Sequence, residues 1–125
     1  MTTTDLVKDW LRKEGFKCET DADGDLQFKY QGLHMFCSVD KNDPLFFRIL
    51  VPNIYEVENN RAKVMEALHT ITRDIKVVKA FLVEDRVWLA IEMFIDTTPD
   101  IDDFVERCLD ILVASRERFV REMLA

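Results

Sequence analysis

Apolar and polar positions along the chain follow two rhythms, one of helices and one of strands. Leu6, Val7, Trp10 and Leu11 recur at helical spacing. Thr4 or Asp5 is placed to N-cap this segment and Gly15 to close it, so residues 4–14 read as a first helix. Four strands follow. Phe16–Thr20 is short, residues 25–31 alternate Leu26, Phe28 and Tyr30 with Gln27, Lys29 and Gln31, Leu33–Val39 alternates less cleanly, and Leu45–Val51 is apolar on both sides apart from Arg48. Between them lie Asp21-Ala22-Asp23-Gly24, Gly32 and Asp40-Lys41-Asn42-Asp43-Pro44, residue types that accept the dihedrals of tight turns. Pro52-Asn53 reads as the end of the fourth strand.

A second helix, 58–74, is expected to place Val64, Met65, Leu68, Ile71, Thr72 and Ile75 on one face. Residues 76–83 and 86–95 read as strands joined in a hairpin by Glu84-Asp85. Thr98 as N-cap and Pro99 as N1 open a long third helix, whose stripe runs from Ile101 and Phe104 through Leu112 to Met123. Arg116, Arg118 and Arg121 gather at its negative end. The order α-β-β-β-β-α-β-β-α predicts an α+β fold, an antiparallel sheet with three helices, in a single domain spanning 1–125.

The strands imply a sheet that is apolar on both faces. Leu33, Met35, Val39, Leu45, Phe47, Ile49 and Val51 fall on one face. Phe36, Phe46 and Leu50 fall on the other, together with members of Val78, Ala80, Leu82, Trp88, Ala90 and Phe94 that depend on the hairpin's loop length. Three helices, one of them short, are few for two faces, and an uncovered apolar face marks an interface.

Charge narrows the partners. The net charge is −7, and residues 96–110 hold six acids against Arg107 alone. Nucleic acids and anionic membranes call for basic surfaces, so neither is an expected partner. No uncharged run approaches the ~20 residues of a membrane span. Cys18, Cys37 and Cys108 are far apart with no CxxC pair, and His34 and His69 are the only histidines, so no metal site and no cofactor are expected. Thiols without a secretory leader at Met1-Thr2-Thr3-Thr4-Asp5 suit the cytoplasm.

Candidate chemistry is sparse. Glu19, Asp21, Asp23, Gly24 and Leu26 match half of a calcium loop, but Tyr30 stands where a bidentate Glu belongs, and strands flank it. A hairpin turn is the better reading. Arg48 and Glu92 are ionic residues inside apolar strands and invite pairing with each other or across an interface, with Lys79 as a rival partner for Glu92. An alternative makes Glu92 a base and Arg48 an anion clamp in a small-molecule or enzyme pocket between the sheet and the second helix. No third group completes a catalytic constellation, so no catalytic residue is assigned and the chain is read as a non-enzyme.

Phe46-Phe47-Arg48-Ile49-Leu50-Val51-Pro52, Asn59-Asn60 at the second helix, the hairpin Lys76–Leu89 and the final helix from Ile101 carry a family resemblance. Over residues 45–124 the chain resembles the YbjN-type domains, with the class I type III secretion chaperone fold. The resemblance implies a homodimer in which helices one and three back one face of the sheet, while helix two and the other face serve association or client binding. The expected function is therefore a non-enzymatic, protein-binding, chaperone-like or adaptor domain. Its protein-binding or dimer surface is assigned to Phe46, Arg48, Leu50, Trp88 and Glu92.

Overall fold

The computed structural model describes residues 2–125, and of Val39 it describes only the backbone. The elements are α1 (Thr3–Lys13), β1 (Cys18–Thr20), β2 (Leu26–Tyr30), β3 (Leu33–Asp40), β4 (Asp43–Glu56), α2 (Arg61–Asp74), β5 (Val78–Val83), β6 (Arg86–Phe94) and α3 (Ile101–Leu124). The strands form one antiparallel sheet in the order β1-β2-β3-β4-β6-β5. Fold class and element order agree with the expectation from the sequence.

Boundaries move where capping chemistry decides them. Thr2, not Thr4 or Asp5, caps α1: its hydroxyl accepts from the Asp5 amide while the Asp5 carboxylate accepts from the Thr2 amide. Asn60 precedes α2, and Asp100 rather than Thr98 precedes α3.

The fourth strand does not stop at Pro52-Asn53. It runs on to Glu56 through a bulge: Val51 faces Leu89 and Tyr55 faces Val87, so three residues of β4 oppose Trp88 alone. Pro52 has no N–H for the ladder, and Asn53 sits at φ +55°, a region that Asn enters more readily than most residues. Because two residues are inserted, the alternation of faces is preserved, and Tyr55 still turns inward against Phe119 at a ring separation of 5.4 Å.

All three helices lie on one face. Val7 and Leu11 of α1, Val64, Leu68 and Ile71 of α2, and Val105, Leu109 and Leu112 of α3 share one buried cluster with Phe28, Met35, Phe47, Ile49, Leu89 and Ile91 of the sheet. Helix two therefore does not go with the opposite face, as the resemblance implied. It packs beside α3 and against β5, where the Ala80 amide donates to the Thr72 hydroxyl at 3.0 Å. Met65, expected on its apolar stripe, is 49% exposed, and Ala67 takes the inward position. Across the helices, Arg118 bridges Asp74 at 3.2 Å and Glu122 at 2.8 Å, tying the end of α2 to α3.

Val77, in the turn between α2 and β5, adopts φ +62° and is 54% exposed. A β-branched residue crowds its own backbone in this left-handed region, and nothing buried compensates. Val77→Gly should raise stability by about 0.5–1 kcal/mol, the relieved strain less the backbone entropy of glycine. Thermal unfolding would show a Tm increase of a few degrees, and a lower Tm would contradict the strain.

Candidate functional site: the open face of the sheet

Which residues share the uncovered face follows from one turn. Glu84-Asp85 is a two-residue loop that pairs Val83 with Arg86, so Val78 faces Ile91 and Phe81 faces Trp88. Val78, Ala80 and Leu82 thus turn toward the helices, and Lys79 and Phe81 turn away with Trp88, Ala90, Glu92 and Phe94. On β4, Phe46, Arg48 and Leu50 alternate with the buried Phe47 and Ile49 and join the same outer face. The five residues singled out in the sequence, Phe46, Arg48, Leu50, Trp88 and Glu92, are brought together on adjacent strands.

The face is ordered in rows. Phe36, Leu50, Ala90 and Lys79 line up across β3, β4, β6 and β5, and Ser38, Arg48 and Glu92 form the next row. Phe46 lies opposite Phe94, their rings 6.1 Å apart and edge to face. Arg48 approaches Glu92 at 3.5 Å, and Lys79 binds the second Glu92 oxygen, so both candidate partners are used. The stems of the two cations lie along aromatic rings: the Arg48 guanidinium is 5.9 Å from the Phe46 ring centre and the Lys79 ammonium 5.1 Å from that of Phe81. Half-exposed pairs of this kind add only about 0–1 kcal/mol each.

Trp88 is fixed by the bulge. Its indole N–H donates to the side-chain Oδ1 of Asn53 at 3.1 Å, and its ring lies 6.4 Å from Phe81. His34 stacks on Phe36 at 5.0 Å. Sequence reasoning missed Phe81 and Asn53 as members of this surface. The loop length that turns Phe81 outward was undecided, and Pro52-Asn53 looked like a terminator.

The other candidate chemistry resolves differently. Arg48 and Glu92 project from the face opposite α2, so they cannot line a pocket between the sheet and that helix. A cleft of about 490 Å³ lies elsewhere, among the first turn of α1, the turn at Asp23–Asp25, the segment Asp40–Leu45 and Asp96-Thr97. The half calcium loop is a hairpin turn: one Asp21 carboxylate oxygen accepts from the Asp23 amide at 2.9 Å and the Asp25 amide at 3.0 Å. The Asp25 amide above all holds the Asp21 carboxyl below its ordinary range. Among the described residues no cluster of His, Cys, Asp and Glu is arranged to hold a metal ion. Cys37 and Cys108 are buried, and burial pushes both thiols up, Cys108 to about 11, which keeps them protonated and poorly nucleophilic. Among the described residues no helix is long and apolar enough to cross a membrane.

A sheet covered by helices on one side and left with an apolar face on the other has the kind of surface that marks an interaction site. The chain belongs to the TY-Chap1 family, described as the type III secretion system (YopN, CesT) and YbjN peptide-binding chaperone 1, whose model matches residues 2–123. The fold is similar to that of YbjN from E. coli, with a TM-score of 0.66 at 16% identity over 97% of this chain and 88% of that one. It is also similar to an uncharacterized protein from Methanothermobacter thermautotrophicus, with a TM-score of 0.54 at 15% identity over 97% of this chain and 91% of that one. A search of the curated proteins finds no match.

Proposed function

We propose that the chain is a non-enzymatic, chaperone-like or adaptor domain of the cytoplasm that binds protein segments and acts as a homodimer. The observation that carries this reading is the bare sheet face, with Phe46, Leu50 and Trp88 offering apolar contact and Arg48 and Glu92 fixing register at the rim or across the dimer. Leaving aromatic residues such as Phe94, 77% exposed, in water costs hydrophobic free energy that association recovers. Membership in a peptide-binding family supports the class of partner. Three free cysteines suit a reducing compartment.

Light scattering across a dilution series tests the reading. The wild type should hold the mass of two chains, and Phe46→Asp, which sets a carboxylate in the apolar rows, should give the mass of one. An unchanged mass in the variant would remove Phe46 from the interface.

A further inference from the structure

We infer that the corner of the open face formed by Lys17, Lys29 and His34 is an anion-binding subsite, which selects protein segments that carry an acidic residue beside apolar ones. This deepens the protein-binding reading above and rests on it. Strand register makes the corner. Lys29 of β2 lies directly opposite His34 of β3. Cys18 opposite Phe28 brings Lys17, immediately before β1, beside Lys29. Phe28 and Met35, the strand neighbours of Lys29 and His34, are buried toward the helices, so the cations turn the other way. All three are exposed and line one cleft of about 380 Å³ with Gln27 and Glu19.

Like charges opposite one another on neighbouring strands cost stability. Elsewhere on this face that cost is offset: Arg48 and Lys79 share Glu92, and Arg86 lies opposite Glu56. No ion pair among the described residues uses Lys17, Lys29 or His34. The acid in the cleft, Glu19, stands opposite Gln27 rather than opposite a cation. An incoming carboxylate supplies the missing charge, since the two ammonium groups and the imidazole N–H all donate.

The neighbouring row indicates what carries that carboxylate. The His34 ring stacks on Phe36, and Phe36 faces Leu50, so the cleft opens onto the apolar rows. Phe36 follows His34 by two residues on β3, roughly 7 Å along the strand. An extended segment laid along β3 repeats that spacing, with an acid over Lys29 and His34 and an apolar side chain over Phe36. A free anion gains nothing from Phe36, and a nucleic acid calls for a longer basic stripe in a chain of net charge −7.

Selection from a phage-displayed library of random peptides tests the subsite, with wild type and Lys29→Glu as baits and circular dichroism and Tm recorded for each. Peptides retained by the wild type should be enriched by roughly threefold or more in Asp or Glu two residues from an aromatic residue or Leu. The Lys29→Glu bait should lose that enrichment while still retaining apolar peptides. Lys29 is exposed, so the variant folds. Without peptide its Tm should rise by about 1–3 °C, because the glutamate separates Lys17 from His34. Retained peptides without an acidic bias, or a bias that survives Lys29→Glu, would overturn the subsite and keep the protein-binding reading. An unchanged or lower Tm would overturn the uncompensated row on which the subsite stands. A wild type that retains no peptide would overturn the protein-binding reading and this inference with it.

Discussion

Phe47→Ala should lower the unfolding free energy by about 3–5 kcal/mol, whereas Phe46→Ala, one residue earlier, should change it by less than about 1 kcal/mol. Phe47 is fully buried on the helix side and meets Phe104 edge to face at 5.6 Å. Removing its ring deletes buried apolar area and leaves a cavity that β4, pinned between β3 and β6, cannot close. Phe46 projects from the opposite face, where solvent fills the space its ring vacates. Urea unfolding should therefore show a large fall in midpoint for Phe47→Ala and almost none for Phe46→Ala. Similar effects at the two positions would contradict the assignment of faces. The comparison is made at a protein concentration where both variants are monomeric, since association adds its own stability.

The second large effect is alkaline. Tyr30 is 6% exposed, and its hydroxyl donates to the Asp110 carboxylate of α3 at 2.6 Å. Burial first, and the bond to Asp110 second, push its ionisation from 10.0 up to about 12. The neutral form is the one favoured in the folded state. Below pH 10 the hydroxyl is protonated both folded and unfolded, and the bond contributes in full. Between pH 10 and about 12 the unfolded chain releases this proton while the folded chain keeps it, so stability falls as pH rises. Tyr30→Phe should cost about 1–2 kcal/mol at neutral pH, the worth of a hydrogen bond to a charged acceptor with Asp110 left in water. Its stability should then decline less steeply across the alkaline window than that of the wild type. Urea titrations at a series of pH values would measure both slopes, and parallel slopes would sever Tyr30 from the alkaline loss.

Much of the fold was legible along the chain because local rules act there without contradiction. The alternation in β2, the polar breaks at Gly32 and Asp40–Pro44, and the long stripe of α3 each name one element type and agree with their neighbours. The errors came where a local signal had two physical meanings. Pro52-Asn53 ends a strand or bulges it, and the pairing of Tyr55 with Val87 decides for the bulge. Thr98-Pro99 is an apt helix start, yet the helix begins at Ile101.

The candidate site divides in the same way. That Phe46, Arg48 and Leu50 share one face was determined by the sequence alone, because strand side chains alternate with period two. So was the presence of more apolar sheet surface than three helices can cover. Only the tertiary structure decided that all three helices crowd onto one side, that Lys79 joins Arg48 on Glu92, and that Phe81 meets Trp88. Each of these depends on register across strands distant in sequence. Register follows from one two-residue turn and one bulge, and a single-residue slip in either would move every side chain beyond it to the other face.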